Sequence, residues 1–196
     1  MRVYVLTVDQ RRSRTSRDLV EDALLSVHDH VSEPVLHFER TAGDEFQGVL
    51  SDAADVIRVS LALMRQGTWS VGIGIGDADE PIPDSTRAAR GSAFVYAREA
   101  LETAKRRTPT IAAISQDDRA RDADALLTLL AALIAKRTAA GWEAIDLLDA
   151  GHTIADAADR LGITRQAVGQ RLAVALWQQE RDVHPLAARL LEEAAG

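Results

Sequence analysis

Two acidic positions carry the clearest chemical potential in this 196-residue chain. Asp9 closes a run of apolar residues, Val3 to Val8, and Asp44-Glu45 sits in the turn-like segment Ala42-Gly43-Asp44-Glu45. If the apolar run is a central strand and the turn joins two neighbouring strands, the carboxylates of Asp9 and Asp44 meet at one edge of a sheet. Mg²⁺ takes one or two carboxylates together with waters and substrate phosphates, so such a pair has the chemistry of a nucleotidyl-transfer site. The run Gln10-Arg-Arg-Ser-Arg14 follows Asp9 directly and either meets a phosphate or forms a solvated loop. A plainer outcome for Asp9 is a strand-end cap or an ion pair with Arg11 or Arg40. For Asp44-Glu45 it is an ordinary turn, which acids favour.

A second constellation lies between His152 and Ala173. Thr153 with Asp156 three places later reads as a capping box, Gly162 can turn left-handed, and Thr164 caps a following helix. Ala158 is small where two helices must cross, while Ile154, Leu161, Ile163, Val168 and Leu172 are the apolar set two helices would share. This spacing is that of a helix-turn-helix. Thr164, Arg165, Gln166, Gly169 and Gln170 then face outward on the second helix, where Arg suits guanine and Gln suits adenine in double-stranded DNA. Arg171 and Arg181 are candidates for phosphate contacts. The alternative is an ordinary helical hairpin or a dimerisation module.

The elements that position these residues follow from hydrophobic period. Strands are expected at Val3–Val8, Val35–Glu39, Phe46–Leu50, Trp69–Ile75 and Thr110–Ile114. Thr15 or Ser16 would cap a helix carrying Leu19 to Val27, Ser51 or Asp52 a helix ending at Gly67, and a third helix spans Ser92–Arg106. The order βαββαβ with one further helix and strand is a ferredoxin-like α+β plan, an antiparallel sheet with helices on one face. Near residue 117 the pattern becomes wholly helical, giving an expected boundary between a domain of residues 1–117 and a helical domain of residues 118–196. Its helices are expected at Ala123–Lys136, Trp142–Leu148, Ile154–Leu161, Arg165–Gln179 and Pro185–Glu193.

Composition narrows the function classes. With no cysteine, disulfide scaffolds, cysteine–zinc modules and cysteine nucleophiles are excluded. The apolar run Leu129 to Ala135 is far short of the ~20 residues a membrane span needs. The N-terminus reads as a strand without a signal-peptide cleavage site, so a cytoplasmic location is expected. The net charge of −7 is shared: residues 118–196 hold nine Lys and Arg against twelve Asp and Glu. That predicts weak, salt-sensitive, sequence-selective DNA binding instead of a general nucleic-acid coat. His28-Asp29-His30 lacks a third ligand nearby and reads as a polar helix end. Gly72-Ile-Gly74-Ile-Gly76 lies within a strand and does not open a helix, so it fails as a dinucleotide loop. The Leu126, Leu127, Leu130, Leu133, Ile134 stripe reads as core or a dimer seam, and Trp142 and Trp177 as core anchors.

Arg40-Thr-Ala-Gly-Asp-Glu-Phe46 resembles the Arg-x-Gly-Gly-Asp-Glu-Phe signature of diguanylate cyclases, with Ala42 in place of the first glycine. Val71-Gly-Ile-Gly-Ile-Gly76 and Gly91-Ser-Ala-Phe-Val-Tyr-Ala-Arg98 are similar to the strand and following helix of class III nucleotide cyclases. Over most of its length the chain resembles the SatD family, through Gly43-Asp-Glu-Phe-Gln-Gly48, Gly72-Ile-Gly74 and Ala93-Phe-Val-Tyr-Ala-Arg-Glu-Ala100. The resemblance implies a cyclase-like fold in a regulatory protein, with Asp9 and Asp44 as the metal-binding acids and Gly43, Glu45 and Arg98 toward a nucleotide. Val95 and Glu99 stand where class III cyclases carry an Asn and an Arg, and Arg98 is one residue away. The expectation is a homodimeric, DNA-binding transcription regulator whose cyclase-like domain senses a nucleotide or phosphate ligand, with or without Mg²⁺. The alternative is a metal-dependent cyclase or nucleotidyltransferase whose helical part binds a protein partner.

Overall fold

The computed structural model describes residues 1–31 and 33–196. Five strands, β1 (Arg2–Gln10), β2 (Leu36–Ala42), β3 (Glu45–Leu50), β4 (Trp69–Asp77) and β5 (Ile111–Ser115), form one sheet in the order β2-β3-β1-β4-β5. Three helices, α1 (Val20–His28), α2 (Ala53–Gln66) and α3 (Ser92–Ala104), connect them. The fold is α+β, and its sheet is mixed. The first four strands pair antiparallel, but β5 runs parallel to β4. This corrects the antiparallel expectation: α3 is a crossover helix, and parallel neighbours need one.

Helices also cover both faces. Leu6, Val8, Phe46, Leu50, Val71 and Ile73 share one buried cluster with α1 and α2. Val3, Val5 and Val49 share another with Ala93 and Ala97 of α3. The continuous apolar run of β1 records this two-sided burial. Thr15 and Ser16 do not cap α1, because Ser13–Thr15 forms a 3₁₀ turn and Val20 N–H instead donates to Asp18 Oδ1 at 2.9 Å. Asp52 does cap α2, and Gly67 ends it.

The remainder is α4 (Ala120–Ala135), α5 (Ala139–Asp149), α6 (Ile154–Leu161), α7 (Arg165–Val174) and α8 (Trp177–Ala195). Residue 117 marks a change of secondary structure, but the sheet's core does not stop there. Leu127, Leu130 and Ile134 of α4 and Ala187, Leu191 and Ala194 of α8 are buried with the sheet's residues. Only α5, α6 and α7 share a core of their own, around Ile145, Ala157, Val168 and Leu172. The break expected between Gln179 and Pro185 falls earlier, at Ala175-Leu176, where Leu176 takes φ +52, and α8 runs through Pro185. Glu180 before the proline and Ala187, Leu191 and Ala194 after it are buried, so both parts of the helix are packed. No single helix among the described residues is long and apolar enough to cross a membrane.

The glycines of β4 set the position of α3. A Cβ on Gly72 would overlap Leu101 N and Ala97 O, and one on Gly74 would overlap Ala93 O and Ala97 N. Ala93, Ala97, Ala100, Leu101 and Ala104 are fully buried on the facing side of the helix. At its start Gly91, with φ +133, lies against the Asp77 carbonyl, a conformation and an approach that a side chain would obstruct.

The loop before α3 is tied to β2. Glu39 Oε1 accepts from Ser85 Oγ at 2.6 Å, Thr86 Oγ1 at 2.7 Å and Arg87 N–H at 3.1 Å. The Ser85 hydroxyl is the largest influence, and together the three donors outweigh partial burial and hold the Glu39 carboxyl at about 2. A carboxyl held below its ordinary 4.5 stabilises the fold above that value and loses the contribution as pH falls toward 2. Glu39→Gln is expected to cost about 1–2 kcal/mol at pH 7, as hydrogen bonds to a charged acceptor weaken. Urea unfolding across pH 2 to 7 should show a shallower acid limb for the variant; identical limbs would contradict this.

Candidate functional site

The sheet brings Asp9 to Glu45 as direct cross-strand partners, because β1 and β3 pair in that register. The turn is the two residues Gly43 and Asp44, tighter than expected since β2 runs on to Ala42 and β3 begins at Glu45. Gln10 N–H donates to the Asp44 carbonyl at 3.1 Å and joins the turn to the end of β1. The buried Gln10 side chain then shapes the next loop. Its Nε2 donates to Ser16 Oγ and the Arg17 carbonyl, and its Oε1 accepts from Leu19 N–H at 2.8 Å. The loop thus folds back over the strand ends.

The result is an open cleft of about 520 Å³. Asp9, Asp44 and Ser70 contribute to its lining, together with Arg11, Arg12, Arg14 and Lys105. Arg12, at φ +58, and Arg14 make no ion pair among the described residues. Arg11 donates to the Gly67 carbonyl at 3.2 Å. The run after Asp9 therefore lines the cleft as a cationic rim beside two carboxylates.

Lys105 Nζ lies 3.0 Å from Asp9 Oδ2. Burial pushes the Asp9 carboxyl above its ordinary value, Lys105 opposes this, and the charges of Asp44 and Glu45 add to the rise. Arg98 and Glu45 form a separate fork, with Nη1 and Nη2 donating to Oε2 and Oε1 at 2.6 and 2.7 Å. Thr41 Oγ1 donates to the same carboxylate at 3.1 Å. Glu45 is buried and Arg98 half-exposed, so the pair sits beside the cleft. The Gly43 carbonyl accepts from Arg40 Nη1 at 2.6 Å, and Arg40 pairs with Asp18 and Glu21. Val95 and Glu99 are exposed on α3.

Asp9 and Asp44 thus share one cleft, while Gly43, Glu45 and Arg98 form its flank. Asp9 pairs with Lys105, not with Arg11 or Arg40. No group of three metal-ligating side chains occurs among the described residues. With an ammonium already on Asp9, this donor set does not suit a resident Mg²⁺, whereas the arginine rim suits a phosphate. Lys105 was missed in the sequence; its signal is the seven-residue spacing from Arg98, which puts both on one side of a helix.

In the helical segment Thr153 and Asp156 form the expected capping box, Gly162 ends α6 at φ +64, and Thr164 caps α7. Thr164, Arg165, Gln166 and Gln170 are exposed, while Val168 and Leu172 are buried beneath them. A Cβ on Gly169 would meet open space. Arg171 is turned inward, 3.1 Å from Glu143, and Arg181 pairs with Asp149 over the Trp177 ring. Both candidates for phosphate contacts are thus held in ion pairs within the protein. Ile154 is 42% exposed, so it stands outside the shared core.

No protein-family model matches the chain, and no curated protein matches it.

The Asp9–Lys105 pair makes a directional test. In Lys105→Met the Asp9 carboxyl should titrate at higher pH than in the parent, because burial persists and the opposing ammonium is gone. Carboxyl-carbon NMR titration reads this directly; an unchanged or lower midpoint would show that Lys105 does not hold the carboxylate.

Proposed function

We propose that this chain is a DNA-binding regulator that senses a phosphate-bearing ligand. In this reading α6 and α7 are a helix-turn-helix, and the four antiparallel strands with α1 and α2 are a ferredoxin-like, nucleotide-cyclase-like unit. The observation that carries it is α7: Arg165, Gln166 and Gln170 stand free on a capped helix whose other side is anchored by Val168 and Leu172. These side chains can pair bidentately with guanine and adenine edges in a major groove. The acidic balance of the helical part supports sequence-selective, salt-sensitive contact over general affinity. Two copies reading two half-sites would supply the affinity that one acidic module lacks.

The cleft beside Asp9 supports the sensing role. Arg12, Arg14 and Lys105 offer donors to a polyphosphate such as that of a nucleotide. The resemblance to the SatD family agrees with a regulator carrying a cyclase-like unit. The two ion pairs favour binding over turnover, since Asp9 and Glu45 already hold protein cations.

Selection from genomic fragments at low salt should retain duplex DNA. Arg165→Ala and Gln166→Ala should each weaken the selected site about 5- to 150-fold, the ~1–3 kcal/mol of one bidentate contact. Failure to retain any duplex would overturn the regulator reading. Calorimetric titration with tripolyphosphate tests the cleft separately. Arg12→Ala/Arg14→Ala should bind it at least 5-fold more weakly than the parent, and equal affinities would remove the cleft from the account.

A further inference from the structure

A larger hollow lies away from the Asp9 cleft, between α2 on one side and α5 and α8 on the other. Its volume is about 860 Å³, within the roughly 300–1,000 Å³ of small-molecule sites. Ile57 and Leu61 from α2, Ile145 from α5 and Pro185 from α8 give it an apolar lining. One cation stands at its inner wall. The Arg137 side chain is only 3% exposed, and its guanidinium lies 4.8 Å from the centre of the Trp142 ring. Arg137 Nε donates to the Ala175 carbonyl at 2.9 Å, and Nη2 donates to Glu180 at 3.4 Å. Its Nη1 donates to no protein atom among the described residues. Glu180 is buried as well and also pairs with His184.

Arg137 Nη1 is not among the enclosed side-chain atoms that lack a partner, so this otherwise buried guanidinium keeps one donor open that an acceptor in the hollow can take up. Arg58, Arg65 and Arg181 on the same walls are paired too, with Asp55, Asp146 and Asp149, but their side chains are 39–52% exposed to solvent, where Arg137 is 3% exposed. Arg137 is therefore where an anionic head would be recognised, with the apolar lining taking the body. We propose that this hollow binds a small amphipathic organic anion, its acidic head on Arg137 and its apolar body between α2 and α5. This ligand differs in chemistry from the polyphosphate suited to the Asp9 cleft. It would also join the α5–α7 unit to the sheet layer, because the walls belong to both.

The full-length protein can be tested with 8-anilinonaphthalene-1-sulfonate, an aromatic anion, against the neutral N-phenyl-1-naphthylamine. One sulfonate dye per chain should bind, at least 10-fold tighter than the neutral dye. Energy transfer to it should fall in Trp142→Phe. Ala62→Trp, which fills the hollow from α2, should weaken the sulfonate dye at least 10-fold. Arg137→Gln with Glu180→Gln leaves no buried charge uncompensated between those two partners, and there the preference for the anion should disappear. Equal binding of both dyes to the parent, undiminished binding by a folded Ala62→Trp protein, or an anion preference that survives the paired substitution would each overturn the proposal.

Discussion

The backbone-to-backbone approach of α3 to β4 is the constraint on which the candidate site depends. Gly72 and Gly74 have no side chains, and the helix presents alanines, so the two elements pack closer than larger residues would allow. Little apolar area is buried per residue at such a contact. Its value is positional: the helix can sit this close only over glycine, because a methyl group at either position would overlap the helix backbone. Arg98 and Lys105 are then delivered to Glu45 and Asp9 from the outer part of the same helix. The glycine spacing that resembles a phosphate loop is in fact a helix seat.

The two ion pairs differ in environment and so in what they can do. Glu45 is buried and receives three side-chain donors, two from Arg98 and one from Thr41, so its charge is well compensated. A forked pair of this kind fixes the turn end of β3 and gives little reason to release its carboxylate. Asp9 has one cationic partner, two acidic neighbours and an opening to the cleft. Its carboxylate is held by Lys105 at the wall of the open cleft. Of the two pairs, Asp9–Lys105 is the one that opens to the cleft, while Glu45–Arg98 frames its flank.

Local chemistry was legible in the sequence and long-range packing was not. Placing the first strand at the centre of a βαββαβ order, beside a hairpin read from its turn, was enough to bring Asp9 near Asp44. The caps at Thr153 and Thr164 and the glycine at 162 were legible for the same reason. Lys105 is separated from Asp9 in sequence by three strands and three helices, and the seating of α3 joins them. The return of α8 to the sheet could not be read from its own period, which serves equally for a self-contained helical domain. Pro185 reads as the first residue of a helix, yet α8 begins at Trp177 and carries the proline inside it. Ile154 fits the helical period but lies at the first turn of α6, where the chain enters from solvent.

Because α4 and α8 are built into the sheet's core, the α5–α7 unit is held at both ends of its chain by elements that cannot shift independently of the sheet. The joint from α4 to α5 is short, and the joint from α7 to α8 passes through Leu176 in a left-handed conformation that a branched side chain disfavours. Arg137, at the first joint, donates to the Ala175 carbonyl at the second, so one buried side chain spans both. A shift of α7 relative to the sheet must therefore disturb Arg137, its partner Glu180 and the Trp142 ring together. Arg137 is thus one of the contacts that join the sheet layer to the α5–α7 unit, beside the Arg65–Asp146 fork and the Arg181–Asp149 pair.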